Sequence, residues 1–491
     1  MKFISLLFLI ISAVAFTTQY NGIAIENSTF IYRNFFMYDK TTSPKISPPG
    51  NGESYIISDF KISKIDKNVN HGQGNVESLI VSKKFFESIG YTDVDESTNK
   101  SYQVVCCDQT AVDAGKCSQI GSLILPKNME GQFAYNRTEF KGTDTEIYVK
   151  FDVPAHGQYM MVIGICDVEP NKNMLLDGFT TAMNPYGHLP GAHYGKLPFE
   201  KYIVTIYVIL IIIWFVRCFY YKTEIMSIQN IVSVVLIIFA IENIFELVNL
   251  SAYNLSGELD FTMNMAGLIV STLTRTVSRI LTLEIAMGLG ISKPTIGTNA
   301  FKIYALAIVF FILAFWESYA STFSPNYEIN YFRILPASLV DAIWYFWIVL
   351  SLLDTLQELE DKKQSAKLEM FLKFRNLVIA ALIVSSVYTV IFGYIFIDES
   401  IEIDWRYQWF FNEGIWTIFY LVVLIYVLKL WAPNENSAAY AYHMQISTEE
   451  RQDTEEYAMQ DTLQGPNSVS IKITTVSQDE LKPMQIKEVA N

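Results

Sequence analysis

The stretch Thr272–Gly297 (TLTRTVSRILTLEIAMGLGISKPTIG) restricts the fold of this chain more than any other. It lies among apolar segments long enough to cross a bilayer, yet it carries Arg275, Arg279 and Glu284. The two arginines are four residues apart, so they share one face of a helix. A charge near the bilayer centre costs at least roughly 2.5–3.5 kcal/mol, so that face must look into protein or water. Such a helix requires a bundle around it, with a polar interior.

Composition supports a membrane protein. Of 491 residues 51% are hydrophobic and only 18% charged, more apolar than an ordinary soluble domain. A net charge of −14 opposes a nucleic-acid partner, which needs a basic patch. The acidity is uneven: the last 60 residues hold ten acids against four bases. Residues 1–15 (MKFISLLFLIISAVA) have the form of a secretory signal, with one Lys, a short apolar core and small residues after it. A short anchor helix is the alternative.

Four of the five cysteines, Cys106, Cys107, Cys117 and Cys166, precede the first spanning segment, where a lumen would permit disulfides. Adjacent Cys106 and Cys107 are poor partners for each other, so each is expected to reach Cys117 or Cys166. A zinc site lacks the repeated C-x₂₋₄-C spacing. Cys218, at the end of the first spanning segment, is either palmitoylated or simply apolar.

From about residue 17 to 198 the chain predicts a small luminal β-sandwich. The runs SYIISDFKISK, 101–105, 146–153 and QYMMVIGIC are rich in β-branched and aromatic residues, with turns such as PGNG and PAHG between them. The sequons at Asn27, Asn99 and Asn136 suit a glycosylated lumen, and two more begin at Asn249 and Asn254 beside the membrane. Seven spanning helices are expected near 199–220, 224–247, 262–288, 299–319, 332–356, 372–397 and 407–431. With the N-terminus outside, inside loops collect Arg217, Lys222, Lys293, Lys362, Lys363, Lys367 and Lys373. Outside loops collect Glu258, Asp260, Glu328, Asp398, Glu399, Glu402 and Asp404, with Arg406 the main basic exception. The positive-inside rule demands this asymmetry. Residues 432–491 read as a disordered acidic cytoplasmic tail.

Inside the apolar segments sit Glu242, Glu246, Arg275, Arg279, Asp341 and Glu413. Carboxylates and guanidinium groups at similar depth imply paired side chains lining one cavity for a ligand, lipid or cation. Buried ion pairs that fix helix register are the plainer explanation. A third is protonatable carboxylates that gate something in an acidic lumen. His188 and His193 stand in a Pro/Gly-rich loop with no fixed geometry for a metal. No Ser/His/Asp set, HExxH, P-loop or nucleotide fingerprint occurs, so neither an enzyme nor a cofactor is expected.

Several stretches resemble the Golgi-dynamics-domain seven-transmembrane (GOST) family, also called lung seven-transmembrane receptors. They are VPAHGQYMMVIGIC, NPYGHLPGAHYGKLPF, SRILTLEIAMGLGISKPTIG, LVDAIWYFWIVLSLLDTLQEL with KLEMFLKFRN, and LKLWAPNENSAAYAY, within 153–442. The glycine–proline pattern after the third helix is most similar to the transmembrane-protein-eighty-seven branch. Ala432 stands where that branch has a basic residue after the last Trp, so the likeness does not extend to a headgroup contact there.

The resemblance implies a luminal sandwich over a seven-helix bundle in Golgi or endosomal membranes, with a role in secretory or endosome-to-Golgi traffic. It implies luminal protein cargo, membrane lipids and cytoplasmic sorting machinery as partners, and charged positions at Glu242, Arg279 and Asp341. A cation channel and an atypical receptor are the alternatives. Against the receptor, no acidic-Arg-Tyr triplet ends the third helix and no NPxxY closes the seventh.

Overall fold

The computed structural model describes residues 17–25, 30–42, 51–64, 74–86, 88–95, 100–125, 133–141, 143–166, 174–293, 295–323, 331–397 and 403–434. The expected signal (1–15), the sequons at Asn27 and Asn99, and the tail beyond 434 lie outside these residues. Ten strands come first: β1 (Thr17–Ile25), β2 (Phe30–Met37), β3 (Tyr55–Lys64), β4 (Gly74–Ser82), β5 (Tyr91–Asp95), β6 (Lys100–Val104), β7 (Phe133–Phe140), β8 (Thr145–Asp152), β9 (Gly157–Ile165) and β10 (Met174–Met183). Two four-stranded antiparallel sheets, ordered β1-β10-β3-β8 and β2-β9-β4-β7, stack face to face.

Alternation selects the inner face. Ile56, Ser58, Phe60 and Ile62 of β3 and Ile147, Val149 and Phe151 of β8 point inward, against Val76 and Ile80 of β4 and Met161 and Ile163 of β9. β4 is buried on both faces, because the excursion between β4 and β7 covers the outside of its sheet. Disulfide Cys106–Cys166 ties that excursion to the end of β9, and Cys107–Cys117 closes a loop within it. Beneath it the fully buried Glu77 accepts hydrogen bonds from Leu123 N (2.8 Å) and the Tyr135 hydroxyl (2.6 Å). Arg137 Nε stands 3.7 Å away. A buried carboxylate is tolerable only with partners of this kind.

Seven long helices follow: α1 (Lys196–Tyr220), α2 (Ser227–Ser256), α3 (Phe261–Ala286), α4 (Asn299–Phe323), α5 (Tyr331–Asp361), α6 (Ser365–Ile397) and α7 (Trp405–Leu430). Six are long and apolar enough to cross a membrane. α3 falls short because its arginines and a dense run of Ser and Thr dilute it. Neighbours in sequence pack side by side, α7 returns to α1, and α3 packs on α5 as well as on α2 and α4. The charged helix is thus the enclosed one. Val208, Ile212, Val216 and Phe219 of α1, among many others, face outward as an apolar belt suited to acyl chains.

The head domain and the bundle share a core. α2 has 30 residues, about 45 Å at 1.5 Å each, against roughly 30 Å of hydrocarbon. Its last turns therefore rise into the head, where Leu250 and Tyr253 join the sandwich core. Asn254 closes the junction: its Oδ1 accepts from Leu189 N (3.1 Å), its Nδ2 donates to Tyr186 O (3.1 Å), and its own carbonyl accepts from His188 N (3.0 Å). Gly187, at φ 136°, permits this approach, since a Cβ there would stand 2.5 Å from Asn254 Oδ1. Tyr38, Tyr186, Tyr194 and Trp405 pack ring against ring beside it.

A charged cavity beneath the head domain

Four helices line a half-open cavity of about 220 Å³ on the head side of the bundle. α1 contributes Lys196, Glu200 and Tyr207, and α2 contributes Glu242, Asn243 and Glu246. α3 adds Gly267 and Ser271, and α7 adds Glu413, Thr417 and Tyr420. Lys196 is the only cation among these lining residues, held between Glu246 (2.6 Å) and Glu413. Glu242 faces Ser271 and Thr274 of α3, with the Arg275 charge nearby. Glu200 is buried to 3% exposure, and its Oε2 finds no hydrogen-bond partner among the described residues. Buried acceptors without partners are rare enough to require a reason.

Local backbone chemistry positions Glu413. Residues Phe410–Gly414 form one π-helical turn inside α7, a wide turn that packs against α1 and carries Glu413 to Lys196. Such turns recur at functional sites. The Tyr388 hydroxyl donates to Phe411 O (2.6 Å) within the loosened turn.

The six charged residues expected to line one cavity divide into two groups. Glu242, Glu246 and Glu413 line it. Arg275 and Arg279 lie one and two turns farther along α3, about 6 and 12 Å beyond Ser271 at the helical rise. Arg279 forms a two-pronged pair with Asp341 of α5, Nε to Oδ1 at 2.5 Å and Nη2 to Oδ2 at 2.8 Å. Its guanidinium carbon also lies 4.3 Å from the Phe310 ring centre. Arg275 donates from Nη2 to Ser318 Oγ (2.7 Å) on α4, while its Nε has no acceptor among the described residues. Tyr420 links the groups, lining the cavity while sensing the charges of both arginines and Asp341. Depth along α3 sets these arginines beyond the cavity, and helix rotation decides which charges at one level meet.

Lys196, Glu200 and Glu317 were not among the expected residues. Glu317 of α4 lies close enough to Arg275, Arg279 and Asp341 to feel their charges. The signals were present: Lys196 and Glu200 are four apart, the spacing of Glu242 and Glu246 on the facing helix, and Glu317 interrupts an apolar run. Starting the first helix at Phe199 leaves Lys196 out, whereas the structure begins it at Lys196.

The cysteines pair as Cys106–Cys166 and Cys107–Cys117, with Cα atoms 5.2 and 6.0 Å apart. Asn136 lies in β7, paired opposite Ser78 of β4. The membrane-side sequon residue Asn254 is buried at the junction. Among the described residues no His/Cys/Asp/Glu group has the arrangement of a metal site. His188 places Nδ1 3.2 Å from Ala182 O, and burial lowers its pKa from 6.5.

Residues 195–438 match the family model described as GOST, seven transmembrane domain. The chain is 22% identical over 343 residues to Transmembrane protein 87A of Xenopus tropicalis, covering 70% of this chain and 62% of that protein. The mouse protein of the same name is 23% identical over 390 residues, 75% of this chain and 70% of its own length. Membrane protein PTM1 of Saccharomyces cerevisiae is 24% identical over 417 residues, 79% and 77% of the two chains. With a seven-helix domain matched from the start of α1 past the end of α7, beneath a β-sandwich head, the chain is a multi-pass membrane protein that belongs to the GOST seven-transmembrane family.

Proposed function

We propose that this protein is a non-enzymatic escort in Golgi or endosomal membranes, with its head in the lumen and its C-terminus in the cytosol. The head meets luminal protein cargo, and the bundle receives the polar end of a lipid or lipid-modified ligand. The observation that carries this reading is the cavity under the head, where Lys196 is held by two glutamates and Glu200 keeps a carboxylate oxygen with no partner among the described residues. Such a lining suits a headgroup with an ammonium or a hydroxyl donor. The head-side half of α6 supports entry from the bilayer, because from Leu382 to Ile395 none of its residues is buried. The orientation rests on the basic and acidic loop asymmetry.

The four cavity glutamates also favour cations, which supports a second reading as a cation channel. Against conduction, the Arg279–Asp341 pair and the packed Phe310 and Trp344 lie beyond the cavity.

The test is to purify the full chain from its native cells and identify bound lipids and luminal proteins by mass spectrometry. Wild type is compared with Glu200→Gln and Glu242→Gln, and secretion is profiled after deletion. The proposal expects a specific lipid or acylated protein that both variants lose. Identical bound species in all three proteins, with unchanged secretion, would sink it. Current across a planar bilayer that Asp341→Asn or Glu242→Gln alters would favour the channel. A tagged copy resident only at the plasma membrane would overturn the compartment.

A further inference from the structure

A second pocket, of about 420 Å³, lies at the opposite end of the bundle from the head, and nothing in the proposed function uses it. Its walls come from Met226 at the start of α2, Met370 and Lys373 of α6, and Tyr426, Lys429 and Trp431 at the end of α7. Two lysines, Lys373 and Lys429, stand beside an apolar base, and none of the described lining residues is acidic. Lys373 pairs with Glu369 at 2.8 Å one turn away, a carboxylate exposed enough for water to compete.

The pocket is built rather than accidental. Trp431 is 1% exposed and wedged edge-on against Phe371 and Phe374. Its carbonyl accepts from Gln229 Nε2 (3.2 Å), whose Oε1 in turn accepts from Met226 N (3.0 Å). Arg217 Nε donates to Pro433 O (3.2 Å) and fixes the chain as it leaves α7. The Trp431 indole N–H, by contrast, has no acceptor among the described residues. Met226 caps α2, so the positive end of that helix dipole lies in the pocket wall.

We propose that this pocket holds an anionic phospholipid of the leaflet facing away from the head domain. Its phosphate lies between Lys373 and Lys429, and its glycerol and first acyl carbons lie on Met226, Met370 and Trp431. Charge complementarity selects an anion, and the apolar base at the membrane edge selects a lipid over a free ion.

The test uses full-length protein in bilayer discs of phosphatidylcholine mixed with phosphatidylinositol, with retained lipids counted by native mass spectrometry. Wild type is expected to retain phosphatidylinositol in preference to phosphatidylcholine. Lys373→Gln and Lys429→Gln should each weaken retention roughly fivefold, the worth of one basic residue at an anionic surface. Lys373→Arg with Lys429→Arg should restore it. Melting in discs of phosphatidylcholine alone should not move, which separates lost binding from lost folding. The inference is overturned if wild type shows no preference, or if the double Gln variant melts normally and retains phosphatidylinositol as wild type does. Equal protection by inorganic phosphate in lipid-free detergent would overturn the assignment to a lipid.

Discussion

At Arg279 and Asp341 the bilayer and the protein make opposite demands on the same atoms. The guanidinium is 11% exposed and meets both carboxylate oxygens, so each charge has its partner but neither has much water. Removing one member leaves a buried charge uncompensated, which costs about 3–5 kcal/mol. Replacing both by apolar groups of similar volume is close to neutral. Arg279→Met should therefore destabilise the bundle by about 3–5 kcal/mol in thermal or denaturant unfolding, and Arg279→Met with Asp341→Leu should recover most of it. A double variant no better than the single one would show that the pair does not set the cost. Lys196 should behave more mildly. The side chains of its partners Glu246 and Glu413 are 36% and 50% exposed, so water takes over part of the lost interaction. Lys196→Gln is expected to cost about 1–2 kcal/mol in the same assay, below the single Arg279 variant.

Among the elements, the short helix Gly191–Tyr194 and the start of α7 are fitted too closely to allow an added methyl. A Cβ on Gly191 would stand 2.8 Å from both the Phe36 carbonyl oxygen and Trp405 Cζ3. The backbone oxygen yields little, so Gly191→Ala should cost about 1–3 kcal/mol by overpacking. Hydrogen exchange should show the loss first at β2 and at the first turn of α7; unchanged protection there would contradict the fit. The disulfides differ by the loops they close, 60 and 10 residues. On chain-entropy grounds Cys106→Ser with Cys166→Ser should cost about 4 kcal/mol, and Cys107→Ser with Cys117→Ser about 3. Protease resistance of the head under denaturant measures the order, and the reverse order would discredit loop closure as the cause.

These elements also show what the linear chain discloses. β3, β6, β8 and β9 announce themselves by β-branched residues at period two, and the spanning helices by length. β10 carries Asp177 and Gly178 in its middle, and β7 runs through Asn136, Arg137 and Glu139, so pairing rather than propensity makes them strands. The presence of charges inside the bundle was legible because lipid forbids them elsewhere. Which charges meet was not, because it depends on exact depth, on helix rotation and on a π turn in α7 that no spacing rule encodes.

In the whole molecule, head and bundle are one body only while the junction around Asn254 holds, and one group there answers to mild acidity. Burial keeps the His188 imidazole neutral and lowers its pKa from 6.5, while its ring nitrogen stays 3.2 Å from Ala182 O. A freed His188 takes its proton at a higher pH than the packed one. Its contribution to docking is therefore complete above 6.5 and declines as the pH falls from there toward the lower folded value. Asp404 has the opposite chemistry. The Arg406 hydrogen bond holds it below 3.8, so its contribution survives until the pH falls through that depressed value. Between 6.5 and 3.8 the head should loosen from the bundle through His188 and not through Asp404. Exchange protection of the 186–189 turn and the last turns of α2, corrected for intrinsic rates, is expected to drop between about pH 7 and pH 5.5. His188→Gln, neutral throughout, should flatten that drop. A wild type equally protected at both values, or a Gln variant that keeps the full pH dependence, would remove His188 as the cause. An organelle whose lumen acidifies along the secretory route would then have no hold on this junction through that residue.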